Sequence, residues 1–291
     1  MCRPPTEFGP VRPFLSETTG RRRETLSKDI TAVLDGWDYE PDGLKVRIVA
    51  GDSGREKLQI RVDLGLMQLE LAGRPDGVQP DGFESLLDAL EAKRRTAVAA
   101  GDDFDIDSNS CQELMREGLQ YYHRYLAFFH LQRYDLVARD TARNLRLFDF
   151  VVKHAARQRD KIQFDQYRPY VTMMQSRALG HQALAANDFA AALAAIDDGV
   201  AAIRSFLREY NQADSEAECM ELGVLLRWRR EIESERPVGA AERLERQLAS
   251  AVGLEEYEEA ARLRDQLQRL RGAAVTSGSE PSSADDADQR R

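Results

Sequence analysis

The spacing of apolar residues changes period once along this chain, from two to that of a helix. Leu44, Val46 and Ile48 alternate with polar residues, and Leu58, Ile60, Val62 and Leu64 alternate again after Gly51-Asp52-Ser53-Gly54. A period of two puts each row on one face of a strand. A third run, Leu66 to Leu71, ends at Gly73-Arg74-Pro75-Asp76-Gly77, which has the composition of a turn. These runs predict a small antiparallel sheet, and a helix from about Phe83 to Val98 is available to cover one of its faces. From about Ser110 the pattern is helical. Ser110-Cys111-Gln112-Glu113 and Ser215-Glu216-Ala217-Glu218 have the spacing of capping boxes and predict a helix start at each. The second of these helices runs to about Glu235, where Arg236-Pro237-Val238-Gly239 breaks the chain.

Within the helical stretch, Leu179-Gly180-x-x-Ala183 is followed by Asn187-Asp188-Phe189, Ala192, Ile196 and Gly199. Small residues where two helices cross, a polar turn and an aromatic just inside the second helix resemble one tetratricopeptide (TPR) repeat. A weaker echo stands at Phe128, Gln132-Arg133-Tyr134 and Ala138. The offset from Tyr134 to Phe189 exceeds the ~34-residue repeat length, so the helix after Tyr134 must be longer than in a standard repeat. The resemblance implies a TPR-like bundle; a stack of generic antiparallel helices satisfies the same pattern.

The C-terminal part carries the most specific string, LERQLASAVGLEEYEEAARLRDQLQRL from Leu244 to Leu270. In its first limb Leu244, Leu248 and Ala251 recur at helical spacing. In its second, Ala260, Leu263, Leu267 and Leu270 do so, with Tyr257 and Ala261 close to that stripe. Gly253 is placed to close the first helix in a left-handed conformation, and Glu255, Glu256, Glu258 and Glu259 favour the start of the second through its dipole. An antiparallel pair of about 30 residues follows, too small to bury enough surface alone, so it needs a partner.

Periodicity alone is satisfied by an ordinary terminal hairpin. The combination Tyr257-Glu258-x-Ala260-Ala261-x-Leu263-Arg264-Asp265, with Leu267 and Leu270 after it, resembles the UVR motif of the UvrB and UvrC repair proteins, of McsA-type regulators and of some Clp ATPases. That resemblance implies a short helix pair that binds other proteins, through Leu244, Leu248, Tyr257, Ala260, Ala261, Leu263, Arg264, Asp265, Leu267 and Leu270. The departure lies in the first limb, where Val252-Gly253 replaces helix-favouring or polar residues.

The resulting reading is a mainly α chain: a small α+β domain over 28–98, a linker over 99–109, a TPR-like helical domain over 110–236 and the hairpin over 240–271. Residues 1–27, Pro- and Arg-rich, and 272–291, small and polar, are expected to be disordered tails. The 291 residues suffice for two modest domains, and 42% apolar with 31% charged residues is a soluble composition. With no apolar run long enough to span a bilayer and no apolar core in the first 27 residues, a cytoplasmic location is expected.

Charge and candidate chemistry narrow the functional classes. Net charge is -9 with both signs mixed, and the hairpin segment is nearly neutral, so direct nucleic-acid binding is not expected. Cys2, Cys111 and Cys219 are scattered and odd in number, giving neither a disulfide framework nor a zinc cluster, unlike the McsA-type regulators. Gly51-Asp52-Ser53-Gly54 copies the nucleophile tetrapeptide of chymotrypsin-like proteases, yet His123, His130, His154 and His181 all follow it in the chain, and a hairpin turn accounts for it. Asp103, Asp105 and Asp107 alternate as in a calcium loop, but Ser108 and Leu114 stand where that loop needs Gly and Glu, so a solvated linker ending in a helix cap is expected. The aromatics Tyr121, Tyr122, Tyr125, Phe128, Phe129 and Tyr134 read as core, and no phosphate loop or dinucleotide fingerprint is present. The expectation is a non-enzymatic protein without metal or cofactor that docks a protein partner, or a copy of itself, through the hairpin. The alternative is an accessory or regulatory subunit, in nucleotide excision repair or in a kinase or Clp ATPase system.

Overall fold

The computed structural model describes residues 29–52, 54–235 and 240–277, and for residues 240–243, 246 and 270–277 the backbone only. The N-terminal segment 1–28, Ser53 of the tetrapeptide, the break Arg236–Gly239 and residues 278–291 lie outside the described residues. A one-turn helix α1 (Thr31–Leu34) precedes strands β1 (Val46–Ala50), β2 (Glu56–Val62) and β3 (Gly65–Glu70). Helices α2 (Leu86–Ala100), α3 (Ser108–His130), α4 (Tyr134–His154), α5 (Gln158–Asp165), α6 (Arg168–Ala185), α7 (Phe189–Glu209), α8 (Met220–Glu235), α9 (Ala240–Gly253) and α10 (Tyr257–Ser277) follow. The fold is mainly α with a small antiparallel sheet in the order β1-β2-β3, as the periodicity predicts.

Alternation works on the sheet as expected. Val46 pairs with Ile60 and Ile48 with Leu58, and Leu58, Ile60 and Leu69 enter one apolar cluster with Tyr125, Phe128 and Val137. The helix covering this face is α3 rather than α2. The reason is the aromatic stripe of α3, which offers far more apolar area than α2. Leu87 and Leu90 of α2 instead join a second cluster with Leu114, Leu147, Phe148 and Val151. Leu44 precedes β1, and Leu64 sits in the two-residue β2–β3 turn, where its side chain is exposed.

Buried ion pairs join sheet to helices. Arg124 of α3 donates from Nε to Asp140 Oδ2 at 2.7 Å and from Nη2 to Oδ1 at 2.9 Å, and both residues are buried. Its remaining nitrogen, Nη1, reaches the carbonyls of Glu70 (3.0 Å) and Gly73 (2.8 Å), so one guanidinium holds α3, α4 and the end of β3 together. Bidentate geometry with every guanidinium nitrogen engaged is what makes a buried pair tolerable. Glu117, also fully buried, accepts from the free N–H groups of Leu86 (2.7 Å) and Leu87 (3.2 Å), capping α2 from a neighbouring helix, and pairs with Arg143.

Two predicted helix starts are displaced. The cap of α3 is Asp107, whose carboxylate accepts from Ser110 N at 2.8 Å, so Ser110 lies inside the helix. The Ser215 segment forms a 3-10 turn, Ala213–Glu218, and α8 begins only at Met220. The stretch before α3 is not all solvated: Ile106 is buried and bridges to Ala155. At the other end, Gly272 to Ser277 continue α10 past the predicted boundary at 271.

The helices of the body turn by one recurring device. After α3 the N–H of Arg133 bonds to Phe128 O and that of Gln132 to Phe129 O. After α6 the equivalent bonds run from Asp188 to Ala183 and from Asn187 to Leu184. These are Schellman closures around a left-handed residue, Gln132 (φ 56°) and Asn187 (φ 58°), and in each the next helix starts on an aromatic, Tyr134 and Phe189. Gly180 allows close approach: a Cβ there would stand 2.6 Å from the Trp228 ring.

A charge-ringed helical hairpin as candidate docking site

Helices α9 and α10 pack antiparallel on each other. Their turn uses the same closure as the body: Glu256 N bonds to Ala251 O at 2.8 Å and Glu255 N to Val252 O at 3.1 Å. The left-handed residue is Glu255 (φ 60°), not Gly253, which is the last residue of α9. The closure fixes the left-handed position by hydrogen-bond count from the helix end, and α9 runs two residues further than glycine placement suggests. The aromatic that opens the next helix is again present, Tyr257.

The structure divides the predicted site residues into two sets. Ala251, Ala260 and Leu263 form an apolar cluster against which Leu244 and Leu248 pack, and Leu267 is buried as well. Leu263 and Leu267 are each 7% exposed. Every described member of that cluster belongs to the hairpin itself. The leucine stripe therefore joins limb to limb. Ala261, Arg264 and Asp265 face outward, as does Tyr257 at 69% exposure. The position of Tyr257 follows from helical phase: stepping back from Leu267, Leu263 and Ala260, the seam reaches Glu256, so Tyr257 is turned about 100° off it. The Leu270 side chain lies outside the described residues.

Two residues that the sequence reading did not select complete the outward set. Val252 (53% exposed) and Leu254 (67%) flank the turn next to Tyr257. Their signal was present in the sequence as apolar residues out of phase with the seam. Glu255, Glu256, Glu258 and Glu259 surround them, and the last is paired with Arg262 at 3.5 Å. Along the limbs Arg264 and Asp265 stand side by side, 3.8 Å apart. The hairpin thus presents an apolar tip in an acidic ring, followed by a mixed-charge shaft.

The other chemical candidates are absorbed by packing. Tyr121, Tyr125 and Phe128 are buried in the core, and His181 stacks on Tyr134 at 4.5 Å between Phe129 and Trp228. Burial, with Arg177 nearby, holds the His181 imidazole below its usual range. Burial, then the Asp160 and Asp107 carboxylates, pushes the Cys111 thiol up to about 11, so it stays protonated at neutral pH. Among the described residues no group of three or more His, Cys, Asp or Glu is placed to hold a metal, and no helix is long and apolar enough to cross a membrane.

With this geometry in place, residues 240–273 match the family model of the UvrB/uvrC motif, UVR. The matched span contains both limbs of the hairpin and agrees with the resemblance read from Leu244 to Leu270. No curated protein and no solved structure matches the chain.

Proposed function

We propose that this chain is a non-enzymatic adaptor that docks a protein partner on the outward surface of its C-terminal hairpin. The observation that carries this reading is the exposed tip, where Tyr257, Leu254 and Val252 stand together while the leucines are occupied in the seam. Exposed aromatics beside aliphatics, rimmed by charge, are the composition of a binding hot spot. Tyr257, Arg264, Asp265 and Ala261 form the recognition surface in this reading, and Leu244, Leu248, Ala260, Leu263 and Leu267 hold it in shape. The paired helices α3–α4 and α6–α7, with their like turns, provide a TPR-like body for a second partner or a copy of the chain.

The test follows one double variant by crosslinking and co-purification with the native partner. Tyr257→Ser with Leu254→Ser should abolish the complex while the helical content is unchanged. A complex that survives this double change sinks the proposal.

The motif match also favours a second reading, an accessory subunit in nucleotide excision repair or a regulator of a kinase or Clp ATPase. Co-elution with UvrA or UvrB and ultraviolet sensitivity on deletion support the repair branch; unchanged repair in a deletion strain refutes it.

A further inference from the structure

The small sheet ends in an open edge. In the β1–β2 ladder Arg61 N bonds to Lys45 O at 2.9 Å and Gly51 N to Arg55 O at 2.8 Å. Antiparallel bonding alternates, so residues 45, 47, 49 and 51 turn their backbone groups toward β2. Val46, Ile48 and Ala50 turn theirs away, and among the described residues no loop or helix bonds to them. The opposite edge is partly closed, because Glu70 N bonds to Pro75 O and Glu70 O accepts from Arg124. Natural edges are usually blunted by proline, a bulge, an interior lysine or a covering element. Among the described residues the segment Val46-Arg47-Ile48-Val49-Ala50 has none of these. Its single charge, Arg47, is folded onto the outer face, where it donates to Gln59 at 2.8 Å and to Val33 O at 2.8 Å beneath the Trp37 ring.

A groove of about 470 Å³ opens where the loop 39–44 leads into this strand. Its floor is apolar, with Leu44, Ile60, Met67 and Leu126, and its rim carries the carboxylates of Glu40, Asp42 and Asp63. Glu40 is paired with Lys45 at 2.6 Å. Asp42 and Asp63 are exposed and make no ion pair among the described residues. Arg61 in the lining donates from Nε to the carbonyl of Trp37 and from Nη1 to those of Val62, Asp63 and Gly65, and among the described residues it forms no ion pair with Asp42 or Asp63.

We propose that the β1 edge and this groove together bind an extended peptide segment of a partner protein, apolar at alternate positions and bearing a lysine or arginine at the groove end. Strand addition supplies main-chain hydrogen bonds to Val46, Ile48 and Ala50, and alternation supplies the reading. Val46 and Ile60 are directly paired and share the core-facing side of the sheet. A strand laid beside β1 therefore directs every second side chain to that side, and the first of them over Leu44 and the groove. A basic residue there meets Asp42 and Asp63. This site is separate from the hairpin and does not rest on the adaptor reading.

The experiment uses the full-length chain and a fluorescein-labelled synthetic peptide, Lys-Thr-Val-Thr-Ile-Thr-Lys, whose lysines share one face with its Val and Ile and stand at both ends so that either strand direction brings one to the groove, with the same peptide carrying Glu for Lys as control, followed by anisotropy. The Lys peptide should bind, and the Glu peptide about tenfold or more weaker. Ala50→Pro removes an outward N–H and leaves the β1–β2 bonds in place, so it should weaken binding about tenfold or more with an unchanged circular-dichroism spectrum. Should that variant misfold, Asp42→Asn with Asp63→Asn, which lie off the ladder, should weaken the Lys peptide and not the Glu peptide. Leu263→Asp should bind like the native chain, which separates this site from the hairpin. Absence of binding at about 1 mM peptide, equal affinity for both peptides, or binding indifferent to both variants overturns the proposal. So does a dimer of the native chain that Ala50→Pro dissolves, because the edge would then belong to a second copy.

Discussion

Leu263→Ala isolates the division between seam and surface. Leu263 is 7% exposed and packs with Ala251 and Ala260 between Leu244 and Leu248. Truncation to alanine removes three buried carbons, worth about 2 kcal/mol at ~0.8 kcal/mol each after allowing for partial exposure. Full-core Leu→Ala changes cost about 2.7–5 kcal/mol, and the lower figure suits a two-helix seam with few neighbours to leave a cavity. At about 1.4 kcal/mol per factor of ten, the opening equilibrium of the hairpin should rise about 30-fold. Native-state hydrogen exchange with mass spectrometry reads this directly. Peptides covering 240–277 should lose about 30-fold in protection, or fall to the unprotected rate where native protection is smaller, while peptides from α3, α4, α6 and α7 keep theirs. Tyr257→Ala, at a position 69% exposed, should leave protection in both regions within about a factor of two. If Leu263→Ala loosens the body, or if Tyr257→Ala loosens the hairpin as much as Leu263→Ala does, the seam is not where the geometry puts it.

The turn of the hairpin offers a paired test: Glu255→Gly should stabilise it by about 1 kcal/mol by relieving the left-handed strain, and Gly253→Ala should stabilise by a similar amount, because Gly253 is helical with open space around it. A destabilising Gly253→Ala in exchange measurements would show that the glycine closes the helix after all. Arg124→Met should cost about 3 kcal/mol in a denaturant titration, since the buried Asp140 keeps only its pair with the half-exposed Arg139 at 3.0 Å, and the double variant Arg124→Met, Asp140→Leu should recover part of that. Burial lowers the pKa of His123, His154 and His181, so the unfolded chain binds more protons below about pH 6.5, and stability should be complete above that pH and fall as pH drops through the lowered folded values. His181→Gln should flatten the slope of midpoint against pH between 7 and 5; an unchanged slope would exclude His181 as a contributor.

Local pattern carried the elements, and long-range geometry carried what joins them. The strand pairs around Val46, Leu58 and Leu69 and the seam Leu248, Ala251, Ala260, Leu263 were legible because period alone decides which face is apolar. The glutamate at the left-handed position was not, because a Schellman closure is set by where the last helical hydrogen bond falls and its non-glycine occupant is tolerated at modest cost. Asp107 displaced Ser110 as cap for a similar reason: each has an acceptor at a permissible spacing, and only the burial of Ile106 before it fixes the helix start. Arg124 and Glu117 look in sequence like members of a solvated helix face. Their partners lie in β3, α2 and α4, and no local window contains them.

The division of the hairpin into a hidden and an outward set of positions has a consequence for chains that carry the same module. Shape is specified at 248, 251, 260, 263 and 267, and on the docking role proposed above, acquaintance is specified at 252, 254, 257, 264 and 265. Two such hairpins alike in the first group and different in the second would superimpose closely and yet keep different company, so likeness of the fold is no guide to likeness of the partner.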